Sequence, residues 1–174
     1  MKAKTPKESY TISTEIVLPN DTNVLGNLMG GRLLHWMDIT AAISAHRHCQ
    51  RVVVTASVNH VSFERAIKLG DYVTIEAKVS RAFNTSMEVF IDVFLEDSNT
   101  GMKVKSNDAT YVFVAVDQIG RPIEIPQITP ESPEEKERFE TALRRKQLSL
   151  LLAGKLKPHE APELRDLFLE KDKK

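Results

Sequence analysis

Asp38 is the residue of this 174-residue chain whose surroundings most need a chemical explanation. It sits in the run Gly30-Gly-Arg-Leu-Leu-His-Trp-Met-Asp38-Ile-Thr-Ala-Ala, among Leu34, Trp36, Met37, Ile39 and Ala42. A carboxylate in apolar company is costly unless it is paired or hydrogen-bonded. On a helix its neighbours four residues away are Leu34 and Ala42, and only His35, three before it, carries a polar group within reach. Two readings are open: a structural aspartate satisfied by a distant partner, or a general base kept in an apolar cleft. The Gly30-Gly31 pair bears on the choice. Glycines at a helix start let a ligand come close to free N–H groups, which can polarise a carbonyl and hold its oxyanion. The plain alternative is a tight turn with no ligand. Asp38 follows Gly31 by about two turns, roughly 10 Å along the axis. One copy of the helix therefore cannot offer both groups to one reacting centre, whereas two helices packed antiparallel in a dimer can.

Other chemistry is less well supported. His46, His48 and Cys49 cluster, but helical residues two apart point about 200° away from each other, so the two imidazoles cannot share an ion. The better expectation is a histidine pair at a helix C-terminus, where the dipole favours imidazolium. Cys49 has no acidic partner nearby in sequence and reads as a buried thiol. No G-x-S-x-G elbow and no phosphate-binding glycine motif occurs. No metal site and no cofactor is expected.

The elements that must position these residues follow from periodicity. Residues 1–9 are polar and read as a flexible N-terminus. Tyr10–Leu18 reads as a strand, Pro19–Asn27 as a loop, and Gly30–His48 as a long helix, apolar nearly all round and therefore buried. Period-two alternation then runs through Arg51–Phe63, Asp71–Phe83, Ser86–Glu96 and Met102–Val116, with turn chemistry at Gly70-Asp71, Asn84-Thr85 and Asp97–Gly101. In the second of these, Val73, Ile75, Ala77, Val79 and Phe83 are expected to share one face. Four prolines mark a linker over Arg121–Pro133. Beyond it Glu134–Leu152 reads as helix, with an apolar stripe of Phe139, Ala142 and Leu143, and Glu163–Leu169 as a further short turn of helix. The expected class is α+β, a mostly antiparallel curved sheet wrapped around a long central helix, with a C-terminal helical extension. Residues 10–125 form the domain and 126–174 the linker and tail.

Composition excludes several roles. The 24 Lys and Arg balance 24 Asp and Glu, so a nucleic-acid partner is not expected. No apolar run approaches the ~20 residues of a membrane span, and the N-terminus lacks the apolar core of a secretory signal. One cysteine permits no internal disulfide. A cytoplasmic protein is expected.

Asn23-Val-Leu-Gly-Asn27-Leu-Met-Gly30-Gly31-Arg-Leu-Leu-His-Trp-Met-Asp38 resembles the active-site segment of hot-dog-fold acyl-CoA thioesterases, in the acyl-CoA hydrolase branch. The resemblance continues through Val54–Phe63, Gly70-Asp71, Asn84–Val89 and Ala109–Val114, and spans roughly Tyr10 to Ile125. It implies a hot-dog fold in which two subunits join their sheets, commonly with three such dimers in a hexamer. It implies hydrolysis of fatty acyl-CoA to the free acid and CoA. Asn27 then corresponds to the active-site asparagine and Asp38 to the catalytic carboxylate, meeting across the dimer interface, and Gly31 supplies the N–H that polarises the carbonyl. Gly30, Arg81, Asn84, Thr85 and Ser86 would lie near the CoA portion. The acyl chain would run near Trp36, Met37 and Phe63. Met29 departs from the pattern, since many relatives carry His there. A hydratase or dehydratase on the same fold would pair His35 with Asp38, although the D-x-x-x-x-H spacing is missing. A non-catalytic acyl-CoA-binding regulator would need an output module, for which nine residues before the first strand are too few.

Overall fold

Five strands and two α-helices, besides three short 3₁₀ turns, carry the regular structure of the computed structural model, which describes residues 1–59, 61, 63, 65–97 and 100–164. In chain order they are β1 (Thr11–Ile16), α1 (Gly30–Cys49), β2 (Val52–Asn59), β3 (Tyr72–Ala82), β4 (Ser86–Glu96), β5 (Lys103–Val116) and α2 (Pro133–Leu152). The expected turn at Ser98 and Asn99, the end of the Arg51–Phe63 strand at His60 and Ser62, and most of the Glu163–Leu169 helix lie outside the described residues. The chain divides into two compact units, Met1–Thr129 and the segment from Pro130 onward.

In the first unit the strands form one sheet of order β1-β3-β4-β5-β2, every neighbouring pair antiparallel. Period-two patterning aims Val73, Ile75, Ala77 and Val79 of β3 and Val89, Ile91 and Val93 of β4 at one side, all fully buried. The curled sheet closes around α1, which packs against all five strands. A register shift between Val79 and Arg81 re-phases the end of β3. Ala82, not the expected Phe83, is therefore the buried residue there.

Only one side of α1 is buried, through Leu33, Met37, Ala41 and Ala45, while Ile39 and Ile43 are exposed. The expectation of burial all round is thus corrected for the single chain. Fully burying a side chain such as Met37 or Ile75 contributes about 1.5–3 kcal/mol, so this face holds the helix to the sheet. The C-terminus of α1 also departs from expectation. Gln50 takes the left-handed conformation (φ 54°), with its N–H on His46 O. The Lys4 ammonium donates to the carbonyls of His48 (2.7 Å) and Arg47 (3.2 Å). The cationic cap is a lysine from the N-terminal segment, not the histidines. His48 is fully buried, with Nε2 donating to Pro126 O at 2.7 Å. Burial holds its pKa below the ordinary 6.5, so it is a neutral core residue.

In the second unit Ser132 caps α2 reciprocally. Its hydroxyl accepts from Glu135 N, the Glu135 carboxylate accepts from Ser132 N, and Pro133 occupies the first turn. No helix among the described residues is long and apolar enough to cross a membrane.

Candidate active site

The loop entering α1 is held by Asp21, which is buried although it is acidic. One carboxylate oxygen accepts from Leu18 N (3.0 Å) and the other from Arg32 Nε (2.6 Å). The backbone carbonyl of Asp21 accepts from Met29 N (2.9 Å). Inside the loop the Asn23 side-chain oxygen accepts from the N–H groups of Leu25 (2.9 Å) and Asn27 (3.2 Å). Gly26 turns the chain at φ 72°, a conformation that disfavours any Cβ. The loop then docks on the segment before β3, with Leu28 N on Ile67 O (2.7 Å) and Leu69 N on Gly26 O (3.1 Å).

These contacts leave a cavity of about 330 Å³ beside the start of α1, lined by Asn27, Leu28, Gly30, Leu33, Phe63, Arg65, Ala66 and Ile67. That is at the small end of the ~300–1,000 Å³ typical of small-molecule sites. The N–H groups of Gly30 and Gly31 meet no acceptor among the described residues, since the first bonds of the turn run from Arg32 and Leu33 to Met29 O. Two backbone donors therefore stand open at the positive end of a 20-residue helix.

Asp38 lies further along α1 and does not line this cavity. It is half-buried, and Thr55 of β2 donates its hydroxyl to the carboxylate at 2.8 Å. No cation pairs with Asp38 among the described residues. No hydrogen bond joins it to His35, which is exposed, so the pair a hydratase would need is not formed among them. The Asp38 charge is felt by the buried Tyr111. Burial first, and that charge second, push the Tyr111 phenol up to about 12, and its hydroxyl donates to Leu34 O at 3.2 Å. Tyr111 thus stays protonated next to an anion. Cys49 is inert by comparison, since burial raises its thiol pKa.

The structure brings Asn27 and Gly30 into one wall and keeps Asp38 apart from it, at the edge strand β2. Arg81, Asn84, Thr85 and Ser86 form a second group around the β3–β4 turn. The Arg81 guanidinium stands 5.8 Å from the Phe83 ring centre. The carbonyls of Asn84 and Thr85 accept from Ile125 N and Ala115 N. Thr55, Phe113 and Met87 share one row across β2, β5 and β4. That turn therefore opens beside the row of Asp38's partner, about 10 Å across the sheet. Trp36 and Met37, expected along an acyl chain, are core residues outside the cavity lining, whereas Phe63 lines it. Three features escaped the sequence reading: the Thr55 bond to Asp38, the Arg32–Asp21 pair, and Arg65 at the cavity. A hydroxyl within the Val52-Val-Val-Thr55 run was the available signal for the first.

The thioesterase superfamily model matches residues 25–102. YkhA of Bacillus subtilis (strain 168), described as an uncharacterized acyl-CoA thioester hydrolase, is 40% identical over 139 residues, 80% of this chain and 81% of its own length. The crystal structure of an apo-hexameric acyl-CoA thioesterase superimposes with a TM-score of 0.84 at 37% identity, over 88% of this chain and 98% of that one. The acyl-CoA hydrolase of Staphylococcus aureus, solved in complex with butyryl coenzyme A, coenzyme A and coenzyme A disulfide, gives 0.81 at 33% identity, over 87% and 94%. Forms of it with an aspartate, an asparagine or a threonine changed to alanine have also been solved. There the asparagine precedes the aspartate by fifteen residues and the threonine follows it by seventeen. With this fold and these relatives, the chain belongs to the acyl-CoA thioester hydrolase family of the thioesterase superfamily.

Proposed function

We propose that the protein hydrolyses fatty acyl-CoA thioesters to the free acid and CoA, with Asp38 as the catalytic carboxylate. The observation that carries this reading is a carboxylate with no cationic partner among the described residues, steadied only by the Thr55 hydroxyl. Asp38 either takes a proton from the attacking water or attacks the carbonyl itself. In the second case the CoA thiolate leaves and water opens the resulting anhydride. The Gly31 N–H, with Gly30 beside it, receives the oxyanion. Because Gly31 and Asp38 are roughly 10 Å apart along one helix, the two ends of the reaction come from two copies of the chain. A homodimer is then the catalytic unit, and a trimer of dimers its assembly. The exposed edge strand β2, with Val52, Val54 and Val58 uncovered, supports such pairing.

Two asparagines compete for the group that orients water or carbonyl. Asn27 lines the cavity, and its side-chain amide has no partner among the described residues. Asn23, Asp38 and Thr55, however, reproduce the fifteen- and seventeen-residue intervals of the altered Staphylococcus aureus positions. Those intervals favour Asn23, whose oxygen is fixed by its own loop while its NH₂ remains available to donate. Arg81, Asn84, Thr85 and Ser86 are assigned to the CoA portion. The reaction is proposed to need no cofactor or metal and to run in the cytoplasm.

The deciding experiment follows thiol release from a chain-length series of acyl-CoAs with wild type and Asp38→Asn. A loss of about 10²–10⁴ in rate is expected of the variant. Full activity in Asp38→Asn overturns the assignment.

A further inference from the structure

Among the described residues, Gly30 is the one glycine with neighbours within 4 Å of the side chain it lacks. A Cβ built there would stand 3.1 Å from Cζ of Phe63 and 3.5 Å from both of its Cε atoms. At Gly31, by contrast, the space is open among the described residues. Phe63 is not a core anchor, since it is 54% exposed and its ring tip rests on bare backbone at the first turn of α1. That contact falls in the wall of the cavity, whose floor, Leu33 and Ile67, is buried and apolar, while Arg65 in the same lining is exposed. Such a cavity suits a ligand with an alkyl part and a polar part.

We propose that Phe63 is the gate of this cavity: its ring, seated on Gly30, sets the length of acyl chain the site accepts. The inference rests on the thioester hydrolysis proposed above and adds to it a residue that determines specificity. A methyl group at Gly30 would push the ring aside by a few tenths of an ångström. Such a shift moves the chamber wall next to the open Gly31 N–H. Displacements approaching 1 Å near a reacting centre cost up to about 10²-fold in rate.

The test compares kcat/KM from acetyl- to palmitoyl-CoA for wild type, Phe63→Ala, Phe63→Trp, Gly30→Ala and the Gly30→Ala/Phe63→Ala double variant, each checked by thermal melting. Phe63→Ala is expected to move the preferred chain toward longer acyl groups and Phe63→Trp toward shorter ones. Gly30→Ala is expected to lose on the order of ten-fold, with much of the loss recovered in the double variant. A half-exposed ring can be changed without threatening the fold, so the two Phe63 variants keep the test decisive even if Gly30→Ala melts early. An active wild type whose chain-length profile both Phe63 variants leave unchanged overturns the gate alone. No recovery in a folded double variant overturns the contact with Gly30 as its basis. A wild type that releases no thiol from any acyl-CoA removes the underlying reading and the gate with it.

Discussion

The Thr55 hydroxyl donates to the Asp38 carboxylate at 2.8 Å, so an edge strand steadies the one acid that the apolar helix carries at mid-length. A hydrogen bond to a charged group contributes about 1.5–3 kcal/mol. Thr55→Val is therefore expected to lower kcat about ten-fold, and Thr55→Ser, which keeps the hydroxyl, to recover most of it. Initial rates of thiol release, with circular dichroism to check the fold, measure both. Equal rates in Thr55→Val and wild type would show that the bond does nothing for the reaction.

The two asparagines separate by a change that preserves the loop. Asn23→Asp keeps an oxygen for the N–H groups of Leu25 and Asn27 but removes the NH₂ donor. If that donor orients the reactants, Asn23→Asp and Asn23→Ala both lose about 10²-fold or more in kcat, and Asn27→Ala changes mainly KM. The reverse pattern returns the role to Asn27.

His48 ties folding to pH. Its folded pKa lies below the unfolded 6.5, mainly because burial disfavours the charged form, and Lys4 nearby lowers it further. The Pro126 carbonyl bond and Glu8 oppose this. Above 6.5 neither state holds the proton, and the neutral ring contributes its full stability. As pH falls from 6.5 toward the folded value, the unfolded chain takes up a proton that the native ring refuses, so stability declines through that window. Urea unfolding across this range is expected to show the decline in wild type and a flatter dependence in His48→Gln. Parallel curves for the two proteins would exclude His48 as the source.

Arg32→Ala leaves the Asp21 carboxylate, only 5% exposed, without its guanidinium. A cost of about 1–3 kcal/mol is expected, seen as a lower Tm. Because Asp21 also holds Leu18 and Met29, a lower kcat/KM should accompany it. A variant that melts earlier but keeps its full kcat/KM would uncouple the pair from the site.

Strand periodicity and the apolar run of α1 made the sheet and the central helix legible, because both patterns are local. Phe83 leaves the expected face because of a register shift in the pairing with β4, which no spacing within β3 reveals. A helix end is visible in sequence and suggests a charged cap at His48, whereas the carbonyl of Pro126 that receives its ring comes from 78 residues away. Asp38 stood out through its apolar neighbours. Its partner did not, since Thr55 reaches it only after β2 folds back on the helix.

One irregularity in β2 reaches beyond a single chain. The pairing with β5 skips Ala56, between Thr55 and Ser57, and this strand carries the uncovered valines. An extra residue bends its strand and increases the local twist, so this edge is less flat than a regular strand's would be. Passing β-rich polypeptides meet a bent edge, so the exposed valines are guarded against runaway polymerisation. Removing Ala56 would flatten that edge and leave its valines open to unregulated strand addition.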